Sequence, residues 1–325
     1  MKACIIGLGN IATVHATVLN ELEIEISDVC DEDESKAKDF VEKFCNGANV
    51  YTDYKECIVN TSADVIHIAT PHYLHKKMTV FALKEDKNVL CEKPLCISEK
   101  ELEEILEAES KSRGKLGVCQ QNRYNEASII MHERLKDKKI KSASATLNWY
   151  RSDDYYLNSD WRGKKDKEGG SVMINQALHT LDLVQWFIGM PEYCVAETHN
   201  LMHKGIIDTE DTATCLFWGE NDFDFYASLN AKTNQPPFIN VVTIDGDDYK
   251  MFGNDLYVNG NKINVDSNIK TYGKSCYGRG HFALFKRFYD SVEKNVEFEI
   301  SGSEAGKVIK LILAIYKSKG EKIKV

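Results

Sequence analysis

Over the first 120 residues, short apolar runs alternate with longer segments whose apolar positions recur at helical spacing. The runs fall at 3–6, 24–30, 65–69, 88–91 and 116–119; the helical segments fall at 12–22, 35–44, 54–60, 72–83 and 99–112. Strands that are apolar almost throughout belong to a sheet covered on both faces. Strands separated by helices pair in parallel through right-handed crossovers. After residue 121 the pattern changes. One helical segment, 126–135, is followed by β-rich stretches at 142–150, 193–201, 211–218, 223–229, 238–244 and 249–265. A helix over 171–188 interrupts them, and helices at 282–292 and 303–317 close the chain. Strands in series without intervening helices predict a large, mostly antiparallel open sheet with helices on one face. The expected fold is therefore α/β, with a parallel-sheet domain over 1–121 and an α+β domain over 122–325.

The chain has 325 residues, a net charge of −9, 43% apolar and 28% charged residues. That length supports two domains with cores of their own. The negative charge excludes a general nucleic-acid or membrane-surface binder, since no basic field exists to attract phosphate. The lysines around Lys164, Lys165 and Lys167 are interrupted by Asp166 and Glu168, and that segment reads as a solvated loop. No apolar stretch reaches the length of a membrane span, and glycine breaks the first apolar run too early for a signal peptide. The ten cysteines are scattered, with no C-x-x-C pair, so free thiols in a reducing cytoplasm are expected. His72/His75 and His199/His203 have ligand-like spacing but no third ligand nearby, and no metal is expected.

Chemistry enters first at Gly7-Leu8-Gly9-Asn10-Ile11-Ala12, a G-x-G-x-x-A directly after a strand-like run and opening a helix. Gly7 suits a tight turn, Gly9 lets backbone approach a pyrophosphate, and Ala12 is small enough for helix–strand packing. Asp31 ends the next apolar run, where a carboxylate takes the ribose hydroxyls of an adenosine. The pattern predicts a dinucleotide-binding unit. Glu32, Asp33 and Glu34 add negative charge beside Asp31, which disfavours a 2′-phosphate and points to NAD over NADP. Cys91-Glu92-Lys93-Pro94 sits at the end of a predicted parallel strand, where open sheets bind ligands. Lys93 there reads either as a proton-transfer group or as an ordinary surface lysine, and Pro94 raises the prospect of a cis bond. In Gly169-Gly170 through Asp182, Asn175 and His179 lie four apart on one helix face, and Asp182 is three beyond His179. An imidazole oriented by a carboxylate is a general-base arrangement; a core histidine with a satisfied hydrogen bond is the competing reading. Trp149-Tyr150-Arg151, Tyr155-Tyr156 and Trp161-Arg162-Gly163 offer aromatic faces and guanidinium donors that suit a polyol ring, or else form the edge of an aromatic core.

Together these motifs resemble the glucose-fructose oxidoreductase / inositol dehydrogenase / rhizopine catabolism (Gfo/Idh/MocA) family. The resemblance runs in order through the glycine motif with His15, Asp31, Ala69-Thr70-Pro71-His72 with His75, Glu92-Lys93-Pro94, and Gln121 with Arg123. It continues through Trp161-Arg162-Gly163, the Gly169-Gly170…His179-Thr180-Leu181-Asp182 segment and Glu210-Asp211-Thr212. It implies an N-terminal Rossmann domain, a C-terminal domain with a large open sheet, and a sugar, cyclitol or related polyol as substrate at the domain junction. By that resemblance Gly7, Gly9, Asn10, Ile11, Asp31, Thr70, Pro71, His75, Glu92, Lys93 and Gln121 hold NAD. Lys93, Arg123, Trp161, Arg162, Asn175 and His179 hold the substrate, and Lys93 and His179 are catalytic. Asn175 stands where polyol dehydrogenases of the family often carry Asp; it can hold a hydroxyl but cannot take its proton. The implied activity is NAD-dependent hydride transfer by a cytoplasmic homodimer or homotetramer. The alternatives are a non-catalytic NAD-sensing regulator, or an enzyme that uses NAD transiently for sugar elimination or epimerisation.

Overall fold

The computed structural model describes residues 1–219, 223–265, 270–272 and 278–325, and structural statements below concern these. The first sheet has six strands, β1 (Lys2–Ile6), β2 (Glu25–Cys30), β3 (Asn49–Tyr51), β4 (Val65–Ile68), β5 (Asn88–Cys91) and β6 (Leu116–Val118), in the order β3-β2-β1-β4-β5-β6. All its pairings are parallel. The helices between them are α1 (Asn10–Glu21), α2 (Glu34–Phe44), α3 (Tyr54–Asn60), α4 (His72–Lys84) and α5 (Glu99–Lys111). β3 is the one strand of this sheet that the hydrophobic pattern does not predict: three residues with no buried position carry no apolar run to read.

The second sheet has nine strands: β7 (Ile140–Asn148), β8 (Tyr193–His199), β9 (Thr212–Trp218), β10 (Asp224–Asn230), β11 (Gln235–Thr243), β12 (Asp248–Phe252), β13 (Asp255–Val258), β14 (Asn261–Ile263) and β15 (Ile323–Lys324). The order is β14-β13-β12-β11-β7-β10-β9-β8-β15. Only β7 and β10 pair in parallel. The β-rich stretch expected over 249–265 is β12, β13 and β14. Its second turn is Asn259-Gly260, both with positive φ (51° and 79°), as a tight hairpin turn requires. The remaining helices are α6 (Glu126–Leu135), α7 (Asp153–Leu157), α8 (Leu178–Ile188), α9 (Gly280–Glu293) and α10 (Gly302–Ser318).

The chain divides into two compact units. Unit 1 gathers Met1–Cys96, Lys100–Tyr124 and Lys270–Gly306; the described remainder forms unit 2. Each unit is built on one sheet, and the sheets fall on either side of residue 121. The helix α9, however, packs in unit 1. Its Gly280 leaves no room for a Cβ against the carbonyl of Gln121, and Phe288 fills the space above Gly117 of β6. Gly117 and Gly280 therefore let α9 come close to the edge of the parallel sheet.

In unit 2 the central strands β7, β9 and β10 alternate between a buried and a more exposed face. Ala143, Ala145, Leu147, Ala213, Cys215, Phe217, Phe225, Ala227 and Leu229 point inward and are buried. On the other face Leu216 and Tyr226 pair across β9 and β10 while remaining 45% and 56% exposed. Among the described residues no helix is long and apolar enough to cross a membrane. The nine described cysteines are free thiols.

Candidate active site

In unit 1 the glycine loop has the predicted form. Gly7 has φ +87°, and a Cβ there would lie 2.5 Å from Thr70 Cγ2, so glycine is required. Gly9 has ordinary φ (−77°) and is the N-cap of α1; a Cβ there would meet nothing within 4 Å. Gly9 and Asn10 are exposed and Ile11 is half-buried, so the first N–H groups of a twelve-residue helix open onto free space. The Asp31 carboxylate accepts from the backbone N–H of Leu8 at 2.8 Å, fixing the loop from the next strand. It also accepts from Lys36 Nζ at 2.6 Å. Asp33 instead caps α2, accepting from the N–H groups of Ser35 and Lys36. Of the four acidic residues 31–34, Asp31 is the one tied to the glycine loop.

Behind the loop lies a buried polar cluster that no short motif reveals. Glu92, at the end of β5, accepts from His15 Nε2 of α1 at 3.0 Å through Oε1, and from the backbone N–H of Lys93 at 3.1 Å through Oε2. His281 Nε2 of α9 lies 3.7 Å from Oε1. His15 Nδ1 meets His67 Nδ1 of β4 at 3.0 Å, and His67 Nε2 meets Tyr289 Oη at 2.8 Å. Burial by itself would raise the Glu92 carboxyl, but the hydrogen bonds and charges of His15 and His281 outweigh it and hold it well below the usual carboxylate range. Glu92 is therefore ionised and only accepts, so His15 Nε2 carries the proton between them. Burial and the charge of His15 push the His67 imidazole well down. His15, Glu92 and Cys119 lie close enough to hold a metal ion. The His15 nitrogens are already spent on His67 and Glu92.

Lys93 is half-buried, and its bond to Pro94 is cis. His75 is buried, with Nδ1 at 2.6 Å from the Pro94 carbonyl and Nε2 at 2.7 Å from the Thr70 carbonyl. Burial lowers its pKa against the pull of those carbonyls, so one of the two receives its proton at neutral pH. Glu92 thus fixes the backbone at Lys93, and His75 sits between the Thr70 and Pro94 carbonyls with one N–H to give to either. Gln121 is buried, and its Oε1 has no hydrogen-bond partner among the described residues. Arg123 is buried and donates to Glu304 at 2.9 Å.

In unit 2 the helix expected over 171–188 begins with a π-helical turn, Val172–Ala177, before α8. Single π turns cluster at functional sites. The N–H groups of Ser171 and Met173 donate to Glu210 Oε1 at 3.0 Å each, and Tyr316 Oη donates to the same oxygen at 3.0 Å. A Cβ on Gly170 would collide with that phenol. Between Ser171 and Thr180 only Asn175 escapes burial; His179 is buried at 7% exposure. Asp182, expected to orient His179, accepts from Gln185 Nε2 at 3.2 Å. Asn175 Nδ2 donates to Glu168 Oε1 at 2.6 Å and lies 3.2 Å from Tyr155 Oη.

The aromatic segment divides. Tyr156 is core: it is buried, bonds Ser171 Oγ at 2.8 Å and packs on His203. Tyr155 is half-buried, with the guanidinium carbons of Arg151 and Arg162 at 4.7 and 4.5 Å from its ring centre. Arg162 also covers Trp161, and Arg151 covers Trp149. The arginines stack on the aromatics that were expected to share a ligand with them. His203 bonds Asp211 and the Arg151 carbonyl, so it is structural.

A glycine loop at a helix N-terminus in a parallel sheet, with a carboxylate just past the end of the next strand, defines a nucleotide-binding Rossmann unit. Comparison with known proteins extends this to the whole chain. Residues 1–120 match the family model described as "Oxidoreductase family, NAD-binding Rossmann fold", and residues 139–250 match that of the GFO/IDH/MocA C-terminal domain. The chain belongs to the GFO/IDH/MocA oxidoreductase family. It is 23% identical to glucose-6-phosphate 3-dehydrogenase of Bacillus subtilis over 246 residues, 74% of this chain and 67% of that protein. It is 28% identical to inositol 2-dehydrogenase of Rubrobacter xylanophilus over 189 residues, 57% of this chain and 51% of that protein, so the match spans about half of that relative's length. In fold it is similar to the WlbA dehydrogenase of Chromobacterium violaceum, solved with NADH and UDP-GlcNAcA: TM-score 0.87, 24% identity, covering 100% of this chain and 96% of that one.

The geometry of Gly9 yields a direct test of the nucleotide site. Gly9→Ala keeps an allowed φ and open space, so thermal stability should stay within about 0.5 kcal/mol of the parent. NADH affinity, read by fluorescence titration, should fall about tenfold or more, because the new methyl stands where a pyrophosphate approaches. Unchanged affinity would show that the loop does not hold the cofactor.

Proposed function

We propose that this protein is an NAD-dependent oxidoreductase acting on a secondary alcohol of a sugar, cyclitol or related polyol, or on the matching keto-sugar in reverse. The observation that carries this reading is the glycine loop, open at Gly9 and tied through Leu8 to Asp31. The orphaned Gln121 Oε1 adds a buried acceptor in the same unit. Gly7, Gly9, Asn10, Ile11, Asp31, Thr70, Pro71, Lys93 and Gln121 hold NAD in this reading. Glu92 serves it by fixing the backbone at Lys93, and His75 by bonding the carbonyl of Thr70 or of Pro94. Lys93, Arg123, Trp161, Arg162, Asn175 and His179 hold the substrate.

Bound NAD supplies the two-electron acceptor. The chain's own groups manage the proton and the geometry. His179 takes the hydroxyl proton at a ring nitrogen. The Lys93 ammonium steadies the negative charge that develops on the substrate oxygen. Asn175 binds a hydroxyl and leaves proton removal to His179, since an amide is no base. If both roles operate mainly in the transition state, His179→Ala and Lys93→Ala should each lower kcat about 100-fold or more. NAD affinity should survive the first change nearly intact. The assay is NADH absorbance with the substrate found by screening sugars, cyclitols and keto-sugars. A normal kcat for His179→Ala would end the mechanism.

Asp31 sets the cofactor preference. NAD should exceed NADP at least about tenfold in kcat/KM, a difference of roughly 1.4 kcal/mol. Lys36 beside Asp31 softens the repulsion of a 2′-phosphate, so Lys36→Ala should widen the ratio. Equal kinetics with the two cofactors would refute the assignment.

The uncovered face of the nine-stranded sheet, with Leu216, Tyr226 and Phe252 exposed, supports a homo-oligomer, a dimer or tetramer built on that face. Light scattering at micromolar concentration should return a multiple of 36.9 kDa, and Leu216→Lys with Tyr226→Lys should lower it. A single-chain mass for the parent would contradict the assembly.

A further inference from the structure

Arg151 and Arg162 flank α7 in sequence, and in unit 2 they meet on one of its rings. Their guanidinium carbons lie 4.7 and 4.5 Å from the centre of the Tyr155 ring. Arg162 also covers Trp161 at 5.1 Å, and Arg151 covers Trp149 at 4.8 Å. A ring face holds a guanidinium by its flat side and leaves the in-plane N–H groups pointing outward. Those donors are little used. Arg151 gives one bond, at 3.2 Å, to the Tyr150 carbonyl, and the Arg162 side chain gives none among the described residues. Neither arginine forms an ion pair there, although the buried Glu168 carboxyl feels the charge of Arg162. Both backbones are pinned. The Arg151 N–H donates to the Ala231 carbonyl at 3.1 Å, and the Arg151 carbonyl accepts from His203 Nε2 at 2.9 Å. The Arg162 N–H donates to Ser159 Oγ at 3.3 Å.

We infer that Arg151 and Arg162 form an oxyanion subsite of the substrate site, and hence that the substrate is a sugar or cyclitol bearing a phosphate or carboxylate group. This rests on the proposal above that the protein acts on a sugar-like alcohol held in part by Asn175. Two cations on one ring repel each other, and neither has an ion-pair partner among the described residues. An anion at this ring supplies the missing charge, and each planar fork matches two oxygens of a phosphate or carboxylate. A neutral polyol would fill hydrogen bonds and leave both charges uncompensated. The position fits as well. Tyr155 Oη lies 3.2 Å from Asn175 Nδ2, so the ring that bears the arginines borders the residue proposed to bind a substrate hydroxyl. The net charge of −9 argues against a nucleic-acid chain as the anion.

Packing alone is a poor account of this pair. The Nε atoms of both arginines are buried and have no hydrogen-bond partner among the described residues. Burying part of a cation without a partner costs stability, and departures of this kind concentrate at functional sites. The subsite also predicts how selectivity is expressed. The anionic group is remote from the reacting carbon, so its charge is met equally in the ground state and the transition state. Such uniform binding lowers KM and leaves kcat little changed.

The test has two readouts. In the first, nothing is turned over. Inorganic phosphate or acetate is added at constant ionic strength with NAD saturating, so that the glycine loop is filled, and Tm is followed. In about 20 mM of the matching anion the parent should melt about 2 °C higher, and Arg151→Gln with Arg162→Gln should not respond. In the second readout, NADH formation is measured with glucose, mannose and galactose, with their 6-phosphates and with their uronates. The phosphate or the uronate series should show a KM at least about tenfold below the neutral sugars at similar kcat, and the series that does so identifies the anion. That ratio should fall toward one in Arg162→Gln. If the paired Gln variant does not fold, Arg162→Lys serves in its place: it keeps the charge, loses the planar fork, and should retain only part of the ratio. A purely structural pair would lower Tm in every variant and leave the ratio as in the parent. Stabilisation by anions that persists in the paired variant, neutral sugars that match both anionic series in KM, or an unchanged ratio in Arg162→Gln overturns the inference. Anion stabilisation that is lost in the variant, without NADH formation from any substrate, would instead fault the proposed function.

Discussion

A buried carboxylate is costly unless donors surround it, and in unit 1 the functional geometry is arranged around Glu92 meeting that requirement. Its two oxygens are bonded by His15 of the cofactor-loop helix and by the backbone of Lys93, with His281 of α9 alongside. Removing one partner of such a buried pair leaves an uncompensated charge, which costs about 3–5 kcal/mol in measured cases. The interaction therefore locks three pieces of chain into one arrangement: the helix whose N-terminus bears the glycine loop, the turn that carries Lys93, and the distant helix α9 from near the end of the chain. His67 and Tyr289 extend the network through β4 back to α9. The Lys93 backbone and the helix that carries the glycine loop are thus tied to the same buried ion.

Unit 2 solves a similar problem with a different carboxylate. Glu210 satisfies two donors at the start of the helical segment that bears Asn175 and His179, and Tyr316 donates to it in turn. Gly170 is needed because that phenol leaves no room for a side chain. The π turn that follows widens the helix just where Asn175 leaves the core. Glu168 then bonds Asn175 from behind. The Asn that replaces an expected Asp is thus not isolated from carboxylate chemistry; the carboxylate stands one bond further back.

Much of the architecture is legible in the sequence because its signals are local. Gly7, Gly9 and Asp31 declare a nucleotide loop by residue type and spacing, and from β1 to α6 the periodicities match the observed strands and α-helices within a few residues, β3 excepted. What the sequence hides is assembled across distance. Glu92, His15 and His67 come from three separate elements, and His281 and Tyr289 both lie on α9; each contact between them joins residues far apart in sequence. The packing of α9 in unit 1 depends on space at Gly117 and Gly280, which a hydrophobic pattern does not encode. Glu168 is masked by its lysine neighbours, whose charge outweighs one acidic residue and makes the segment look solvated. The π turn keeps apolar residues near helical spacing and so looks like α-helix. Two other features do carry local signals. Asn259-Gly260 marks a hairpin turn inside the β-rich stretch over 249–265, and Asp33 two residues before Ser35 is an ordinary helix cap.

The central claim is that a substrate carbon gives its hydrogen directly to nicotinamide in this protein. The most direct measurement uses a substrate deuterated at the carbon of the reacting hydroxyl, with mass analysis of the recovered cofactor. The account predicts one deuterium in each reduced nicotinamide, net accumulation of NADH equal to product, and a slower rate for the labelled substrate. Reduced cofactor without the label, or product formed with the label returned to it and no net NADH, would contradict it.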